Sequence, residues 1–497
     1  MRSALALVGV LLALVAPAAA RAGGPSMLIG IAEDDGVRST SLVAANAQVG
    51  LARLLGFQAL RISAPWWGSP APTGGELGIL GNAAKAARLN GGLPVFVAVY
   101  NPGSRSTPLT DEARAQFASY AATIARRLPS LRNFIIGNEP NVNGSWMPQF
   151  NEDGSDAAAP AYLKLLATTY DALKRVSPRI RVIGGALSPR GQDRYPAARH
   201  THSPTTFIRD LGAAYRVSGR RLPIMDEFAI HPYQDTSRQP PATRHSVTRT
   251  ITIADYPKLV TLLGEAFDGT AQRGSTMSIV YGEYGIEGRI PASKARYYEG
   301  TEPATTKPVA EPLQAAYYRQ ALQIAFCQPT VRAMFLFHLH DEKRLQRWQS
   351  GLYYADRTPK TIVGPVRRAM RDVRGGVAAR CRGLRLRVKA RAYFGPPAAL
   401  ARAKRIAFRV RCDIDCSWVA AVERLPARSP ALVARGRAQG GVVKRVRFAP
   451  RPLAPGRYRL AVRFLAPVNP GAPTVATSAP FEIRAPSAAK RGVRRIR

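Results

Sequence analysis

Two glutamates, each directly after a short apolar run, have the context best suited to chemistry in this chain. Glu139 follows the run 134–137 and precedes Pro140, which cannot continue the hydrogen-bond ladder of a strand. Glu283 follows the run 278–282 in the same way. A charge at the end of an apolar strand is costly unless that end opens into a pocket. The two contexts therefore predict two strands that each deliver one carboxylate to a common site.

Paired carboxylates suit the hydrolysis of a glycosidic bond. One carboxylic acid protonates the leaving oxygen, and the other acts as nucleophile in a retaining enzyme or as base toward water in an inverting one. Two rival glutamates fit less well: Glu287 is expected in the loop beyond Gly285, and Glu227 at the start of another strand, at the opposite end. The sequence therefore favours Glu139 and Glu283 as the working pair.

Alternating apolar and amphipathic runs surround these glutamates and predict eight successive strand–helix units. The predicted strands are 27–31, 59–63, 94–100, the run ending at Asn138-Glu139, 181–187, 226–231, 278–285 and 331–340. Eight such units predict a parallel sheet closed into a (β/α)₈ TIM barrel. An open doubly wound sheet is disfavoured, because no glycine-rich phosphate turn follows a strand.

The lengths of the connections predict which end of the barrel carries the site. Helix-to-strand connections are short, whereas the strand-to-helix connections 141–159, 234–253 and 286–311 are long. Long loops in a compact domain are commonly binding loops or lids, and barrel enzymes place their chemistry at the strand C-terminal face. Trp146, in the first of these loops, could stack on a sugar ring or only anchor its loop; both remain open.

The two ends of the chain differ from the barrel region. Residues 1–22 combine Arg2, an apolar run and small residues, which predicts a secretory signal and an extracellular protein without a transmembrane anchor. The barrel is expected over 27–376. Short alternating runs then predict an all-β, sandwich-like accessory domain over 381–485, followed by a basic disordered tail at 486–497. The strands predicted in this domain are 384–388, 406–410, 418–422, 442–448, 458–464 and 481–483.

Four cysteines in an exported chain predict two disulfides. Cys412 and Cys416 are close enough in sequence to close a local loop, which leaves Cys327 to pair with Cys381. No cysteine has the spacing of a zinc site, and no metal or cofactor is predicted. The segment His200-Thr201-His202 is expected to be solvated.

The charge of the chain is strongly basic, with 72 Lys and Arg against 32 Asp and Glu and a net charge of +40. From Cys381 onward there are 27 basic and 4 acidic residues. This excess could serve contact with anionic wall polymers, or it could be a compositional habit of a solvated surface. Specific nucleic-acid binding is not expected, because the basic residues are scattered along strands and no finger or RNP-like motif is present.

The motifs Asn138-Glu139-Pro140 and Gly282-Glu283-Tyr284-Gly285 resemble the clan A glycoside hydrolases, which include the family-five cellulases. The resemblance extends over residues 27–374 in strand order. It implies cleavage of β-glycosidic bonds with retention of configuration, with Glu139 as acid/base and Glu283 as nucleophile. It also implies that Asn138 binds the sugar 2-hydroxyl and that Arg61 orients the nucleophile.

The resemblance implies further contacts and shows one departure. His231-Pro232-Tyr233 matches the clan, so both rings are expected at the site. Where the clan ends its last strand with tryptophan, this chain has 337–341, Phe-His-Leu-His-Asp. Trp348, or Trp66-Trp67, is expected to supply the sugar platform instead. One of His338 and His340 is expected to line the pocket, and we take it to be His340. The function expected is that of a secreted retaining O-glycosidase acting on a β-linked poly- or oligosaccharide; the alternative is a non-catalytic glycan- or wall-binding protein.

Overall fold

The computed structural model describes residues 23–197, 199–403, 405–450 and 452–484. The predicted secretory signal and basic tail lie outside these residues. Eight strands come first in the chain and alternate with helices: β1 Leu28–Ala32, β2 Ala59–Pro65, β3 Val95–Tyr100, β4 Asn133–Ile136, β5 Arg181–Leu187, β6 Glu227–Ile230, β7 Ser278–Tyr284 and β8 Val331–Phe337.

These eight strands form one closed parallel barrel in chain order, with β8 paired to β1. The helices between and after them are α1 Leu42–Leu55, α2 Gly74–Leu89, α3 Asp111–Arg127, α4 Ala158–Val176, α5 Pro204–Val217, α6 Tyr256–Phe267, α7 Glu311–Phe326 and α8 Val363–Gly375. A strand that is covered on both faces has a continuous apolar sequence, and β3 has the sequence Val-Phe-Val-Ala-Val-Tyr. The predicted TIM barrel is confirmed.

The interior of the barrel is packed with side chains rather than open. Small residues such as Ala98 and Ala229 make room for the rings of Phe96 and Phe335, whose centroids lie 4.8 Å apart. At the first residue of β6, Glu227 pairs with Arg181 at 2.5 Å and with Arg332 at 2.6 Å. This ion cluster fills the N-terminal end of the barrel, so Glu227 lies at the end opposite Glu139.

Side-chain caps fix where α2 and α3 begin, at the C-terminal rim of the barrel. The hydroxyl of Thr110 accepts a hydrogen bond from the amide of Ala113 at the start of α3, and Thr73 and Glu76 form a reciprocal capping box on α2. Such caps satisfy amides that have no partner within the helix. The long strand-to-helix loops are thereby held at defined end points.

The C-terminal part of the chain consists of two antiparallel sheets and a short helix. Its elements are β9 Ala390–Tyr393, α9 Pro397–Arg402, β10 Ala407–Cys412, β11 Cys416–Arg424, β12 Ser429–Ala438, β13 Val443–Arg447, β14 Gly456–Leu465, β15 Thr474–Thr477 and β16 Phe481–Ile483. The sheet orders are β13-β10-β9 and β12-β11-β14-β15, with β16 on β14. The predicted sandwich-like class is confirmed, but the strand predicted at 384–388 is wrong.

Both predicted disulfide pairings are present. Cys327, at the end of α7, bonds to Cys381, and Cys412 bonds to Cys416 across the turn between β10 and β11. The first bond joins the barrel to the segment that leads into the antiparallel sheets. Among the described residues, the helices are too short or too polar for any of them to cross a bilayer.

A buried ion pair organises the long loop between β8 and α8. Lys360 Nζ lies 2.8 Å from Asp341 Oδ1, and neither side chain is exposed by more than 1%. Tyr298 donates its hydroxyl to the other oxygen of Asp341 at 2.7 Å, and the amide of Gly351 donates to Oδ1 at 2.9 Å. Every oxygen of this buried carboxylate is therefore paired.

Replacing Lys360 with methionine is expected to lower the free energy of unfolding by about 3–5 kcal/mol, because Asp341 would keep a buried charge without its cation. Lys343→Met, at an exposed position of the same loop, is expected to change it by less than about 0.5 kcal/mol. Denaturant unfolding followed by tryptophan fluorescence measures both. Equal unfolding midpoints for the two variants would contradict this role of the ion pair.

Candidate active site

A cavity of about 500 Å³ opens at the C-terminal end of the barrel. All eight strands contribute to its walls: β2 contributes Arg61 and Ser63 from within the strand, the others contribute residues near or beyond their C-terminal ends, and the β8–α8 loop adds two more. The lining residues are Ala32, Glu33, Asp34, Arg61, Ser63, Tyr100, Asn138, Glu139, Ser188, Pro189, Arg190, Tyr233, Glu283, Phe337, His338, Arg347 and Trp348. The long loops lie at this end, as the connection lengths predict.

Glu283, near the end of β7, is held by two donors. Arg61 Nη1 lies 2.9 Å from its Oε1, and the hydroxyl of Tyr233 donates to its Oε2 at 3.1 Å. Burial raises the pKa of the Glu283 carboxyl, but the charges of His231 and Arg61 and the hydrogen bond from Tyr233 outweigh burial and leave the pKa below its ordinary value. Glu283 is thus ionised and fixed in orientation.

Glu139, which follows β4, shares a histidine with Glu283. His231 Nδ1 lies 3.0 Å from Glu139 Oε1 and 3.5 Å from Glu283 Oε2. The nearest oxygens of the two carboxylates are therefore separated by no more than the sum of these distances. The side chain of Glu139 is 25% exposed and that of Glu283 is 13% exposed, so Glu139 is the more accessible of the pair.

Asn138 and Arg61 link the two glutamate-bearing strands. Arg61 Nη2 donates to Asn138 Oδ1 at 3.2 Å while its other nitrogen, Nη1, pairs with Glu283. Gly282 leaves room for His231, because a Cβ at that position would lie only 3.0 Å from the Nε2 of the ring. The structure thus brings together Arg61, Asn138, Glu139, His231, Tyr233 and Glu283, which the sequence named as site residues.

Two cavity residues have backbone conformations that side chains rarely adopt. Glu139 has a φ of 46° and His338 a φ of 71°. The amide of Glu139 donates to the carbonyl of Ala186, the residue before the end of β5, at 2.8 Å, which helps to hold this conformation. Strained positions of this kind concentrate at functional sites, where the surrounding structure compensates for them. Both side chains line the cavity.

Aromatic rings form one wall of the cavity. Trp348 stacks on Tyr233 with centroids 4.6 Å apart and an interplanar angle of 28°, and it meets Phe337 edge-on at 5.5 Å. Of the two alternative platforms, Trp66 is buried against Phe117, and Trp67 is 71% exposed and does not line the cavity. Trp348 is therefore the tryptophan placed to contact a ligand here.

Two residues expected at the site lie elsewhere. Trp146 is 1% exposed and packs edge-on against Tyr162 at 5.8 Å, so it anchors its loop and cannot stack on a ligand in the cavity. His340 is buried beside Tyr353 and lines an adjoining pocket, whereas His338 lines both that pocket and the main cavity. The structure places His338 rather than His340 in the main cavity, because β8 ends at Phe337 and the positive φ of His338 interrupts the strand alternation.

An acidic group on the β1 side of the cavity was not foreseen. Glu33 follows β1, and its Oε2 accepts the amide of Leu339 at 2.7 Å while its Oε1 lies 3.7 Å from His338 Nδ1. Burial raises the pKa of Glu33, but the charge of His338 and the amides of Leu339 and Asp35 outweigh burial and leave the pKa below its ordinary value. The context that identified Glu139 and Glu283, an apolar strand ending in a carboxylate, is also present in Leu28–Glu33 and could have revealed it.

A second cavity of about 380 Å³ adjoins the first, and both are lined by Arg190, Tyr233 and Trp348. It contains Glu287, a residue that is 8% exposed. Burial raises the pKa of the Glu287 carboxyl to about 8. Glu287 lies beyond the end of β7, in the loop, as the sequence indicates. The two cavities therefore share one wall.

Comparison with known proteins supports the fold. No family model matches the chain, and no curated protein matches it. Among solved structures, a family 39 glycoside hydrolase from the gut symbiont Bacteroides cellulosilyticus WH2 is 15% identical, with a TM-score of 0.50, and the match covers 93% of this chain and 80% of that one.

Two further solved structures were compared. GH5_18 from Streptomyces cattleya is 17% identical with a TM-score of 0.47, over 71% of this chain and 81% of that one. The exo-beta-1,4-mannosidase Op5Man5 from Opitutaceae bacterium strain TAV5 is 15% identical with a TM-score of 0.45, and the match covers 71% of this chain and 60% of that one. The first similarity, with the closed barrel, shows that the chain has the (β/α)₈ fold seen in glycoside hydrolases.

Proposed function

We propose that this protein is a secreted retaining glycoside hydrolase that cleaves β-linked poly- or oligosaccharides. The observation that carries the proposal is the convergence of Glu139 and Glu283 on His231 Nδ1, at 3.0 and 3.5 Å, inside the cavity at the working end of the barrel. The carboxyl groups of retaining glycosidases lie about 5–5.5 Å apart and those of inverting ones about 6.5–9.5 Å apart. The upper limit on the separation here reaches the range of inverting enzymes, so the proposal of retention rests on the resemblance of the two glutamate motifs to the clan A glycoside hydrolases.

The reaction then proceeds by double displacement. Glu139 donates its proton to the leaving oxygen while Glu283 attacks the anomeric carbon, so the glycosidic bond breaks and an ester to Glu283 forms. Glu139, now a carboxylate, removes a proton from water, which attacks the same carbon and releases Glu283. Two inversions give net retention of configuration.

The neighbouring side chains support these two roles. Arg61 and Tyr233 keep Glu283 ionised and oriented, which a nucleophile requires. His231 is fully buried and positions Glu139 through its Nδ1. Asn138 is fixed by Arg61, so its amide is available for the sugar 2-hydroxyl. Export agrees with the two disulfides, because such bonds persist in oxidising compartments.

Removing the hydroxyl of Tyr233 is expected to shift the acid limb of the pH profile. Its hydrogen bond is one of the interactions that lower the pKa of Glu283, so Tyr233→Phe raises that pKa. The nucleophile then becomes protonated at a higher pH, and the acid limb of kcat/KM moves upward. Tyr100→Phe, which also alters a tyrosine of the cavity wall, serves as the control. The acid limb of its kcat/KM profile should stay at the wild-type pH. An acid limb that stays in place in Tyr233→Phe contradicts this coupling.

Truncation of Trp348 is expected to weaken substrate binding. Loss of one aromatic face removes on the order of 1–2 kcal/mol of contact energy, so KM should rise about 5–30-fold with a smaller change in kcat. Trp67→Ala removes an exposed tryptophan outside the cavity and should leave KM unchanged. Steady-state kinetics on an oligosaccharide test both; equal KM values for the two variants exclude Trp348 as the platform.

The experiment that tests the function as a whole is a panel of aryl β-glycosides and β-linked polysaccharides. Wild type, Glu139→Gln and Glu283→Gln are assayed side by side, with glycan affinity measured in parallel. Hydrolysis by the wild type that both substitutions abolish supports the proposal. Absence of any hydrolysis, with glycan affinity unchanged in both variants, favours the non-catalytic glycan-binding alternative.

A second function, contact with an anionic wall polymer, is favoured by the sheet β13-β10-β9. Exposed arginines lie directly opposite each other across its strands, Arg409 against Arg445 and Arg411 against Arg391. Like charges in this relation destabilise a sheet unless an anion lies over them. We therefore propose that this face binds a polyanion.

Binding of the full chain to dextran sulfate should be saturable and should weaken steeply as salt is added, while neutral dextran should not bind. Arg409→Gln combined with Arg445→Gln should reduce the affinity more than the matched pair Arg126→Gln and Arg127→Gln on α3, which removes the same charge. Equal losses for the two pairs would show that net charge alone, rather than this face, attracts the polymer.

A further inference from the structure

A cluster of three potential ligands lies outside the barrel mouth, beside α4 and α5. Asp156, His202 and Asp210 can each present one ligand atom so that the three atoms lie within 4.8 Å of one another. The cluster borders an open pocket of about 790 Å³ that shares no lining residue with the catalytic cavity. It is therefore a separate site, and the glycosidase mechanism does not use it.

Three different segments place these side chains. Asp156 ends the β4–α4 loop, and its Oδ1 accepts the amide of Ala159 at 2.9 Å. His202 directly precedes Ser203, which caps α5, and Asp210 lies within that helix. The prediction that the segment 200–202 is solvated is wrong for His202, which is 2% exposed.

Two atoms of the cluster are buried without a hydrogen-bond partner. Within the described part of the chain, neither Asp156 Oδ2 nor His202 Nδ1 has one, and their side chains are only 6% and 2% exposed. His202 Nε2 lies 2.8 Å from the carbonyl oxygen of Gln149 and 3.4 Å from Asp156 Oδ1, while Nδ1 lies 3.7 Å from Asp193 Oδ1. In a neutral ring whose Nε2 donates to Gln149, Nδ1 keeps its lone pair. An unsatisfied buried acceptor is destabilising, and two in one cluster point to a ligand that pairs with both.

We propose that Asp156, His202 and Asp210 bind a divalent transition-metal cation such as Zn²⁺ or Mn²⁺, with water completing its coordination. An imidazole together with two carboxylates is a donor set suited to these ions, whereas Ca²⁺ and Mg²⁺ favour oxygen ligands throughout. Bonds of about 2.0–2.2 Å bring ligand atoms to within roughly 3–4 Å of each other, so the triangle contracts slightly when the ion enters.

The surrounding groups support the ligands rather than compete for the ion. Asp193 Oδ1 lies 3.7 Å from His202 Nδ1, but it accepts the amide of Ser203 at 2.7 Å, and its Oδ2 pairs with Arg249 at 3.0 Å. Gln149 fixes the ring through Nε2. Outer partners of this kind orient a ligating histidine and are important for affinity.

The site would tie the loop that carries Asp156 to α5. The ring of Phe150 in that loop lies 4.2 Å from the ring of His202, and the side-chain amide of Asn141 donates to the carbonyl of His202 at 2.9 Å. The same loop begins directly after Glu139. The cation therefore has a structural role, since it anchors the segment that follows the catalytic acid without contacting the substrate.

The test is metal binding by the full chain, produced without a histidine tag and dialysed against a chelator. Isothermal titration with Zn²⁺ and Mn²⁺ is expected to show one saturable site, with Ca²⁺ binding at least tenfold more weakly, and added Zn²⁺ or Mn²⁺ should raise the Tm. Asp210→Asn, at a half-buried position, should weaken binding by roughly tenfold or more. Glu152→Gln, an exposed carboxylate of the same loop, is the matched control and should bind like wild type.

Two results would overturn the proposal. The first is a wild-type chain that binds neither Zn²⁺ nor Mn²⁺ saturably, which is expected if the carboxylates share a proton or the histidine is an imidazolium. The second is binding that Asp210→Asn and His202→Gln leave unchanged, with folding of each variant verified by circular dichroism. Neither result depends on the sugar specificity, so failure here is distinguishable from failure of the glycosidase proposal.

Discussion

Replacing Glu283 with glutamine is expected to lower kcat/KM on the order of 10⁴-fold or more, for every substrate that the wild type cleaves. The amide keeps the shape of the side chain beside Arg61 and Tyr233 but cannot attack the anomeric carbon, so the covalent step is lost. Steady-state kinetics with an activated aryl glycoside measure the effect, because such a substrate does not need a general acid.

Glu287→Gln is the matched control, since it alters the rival carboxylate of the adjoining cavity. It is expected to change kcat/KM by less than about tenfold. In Glu283→Ala, azide can occupy the vacated space and attack the sugar, which should restore turnover and give the glycosyl azide of inverted configuration. A Glu283→Gln variant with near wild-type activity would remove this residue from the mechanism.

Replacing Glu139 with glutamine should produce an effect that depends on the leaving group. General acid catalysis contributes about 10²–10⁴-fold, so substrates with poor leaving groups should lose activity in that range. Activated aryl glycosides should keep a fast first step and then accumulate the glycosyl-enzyme, because no base activates water in the second step. A burst of aryl alcohol followed by slow turnover is the expected signature.

The plot of log kcat/KM against leaving-group pKa measures this prediction. Its slope should be steeper for Glu139→Gln than for the wild type. Asn138→Ala provides a comparison at the neighbouring residue, since it removes a sugar contact but leaves the acid in place. Parallel slopes for Glu139→Gln and the wild type would contradict the acid/base assignment.

The barrel and the residues around the two glutamates could be predicted from sequence because both depend on local patterns. Continuous apolar runs such as β3 indicate strands covered on both faces, and their alternation with amphipathic helices restricts the topology. Once the barrel is predicted, Glu139 and Glu283 must both lie at its C-terminal end. Their contacts with His231 then follow from the closure of the barrel.

The details that the sequence did not reveal depend on single backbone torsions and on packing. The sequence predicts a strand that continues to residue 340, but β8 ends at Phe337 and His338 has a φ of 71°. Trp146 has the context of a ligand-stacking residue, but it packs against Tyr162 of α4, the helix that follows its own loop. Neither feature has a local sequence signal.

The sequence predicts the all-β class of the C-terminal domain but not all of its individual strands. β12 and β15 were not predicted, and the strand expected at 384–388 is replaced by β9 at Ala390–Tyr393. β12 contains Pro430, Gly436 and two arginines, so its apolar alternation is weak, and its pairing with the well-patterned β11 determines its structure. Tertiary contacts, rather than local preference, decide such strands.

The measurement that tests the central claim most directly is the identification of the residue that carries the covalent sugar. The aryl β-glycoside cleaved best in the panel is converted to its 2-deoxy-2-fluoro analogue, which slows the second displacement and traps the glycosyl-enzyme. Mass spectrometry of the digested protein should find one sugar on Glu283, and Glu139 should be unmodified. A sugar attached to any other residue, or an inverted first product from the cleavable substrate, would contradict the account.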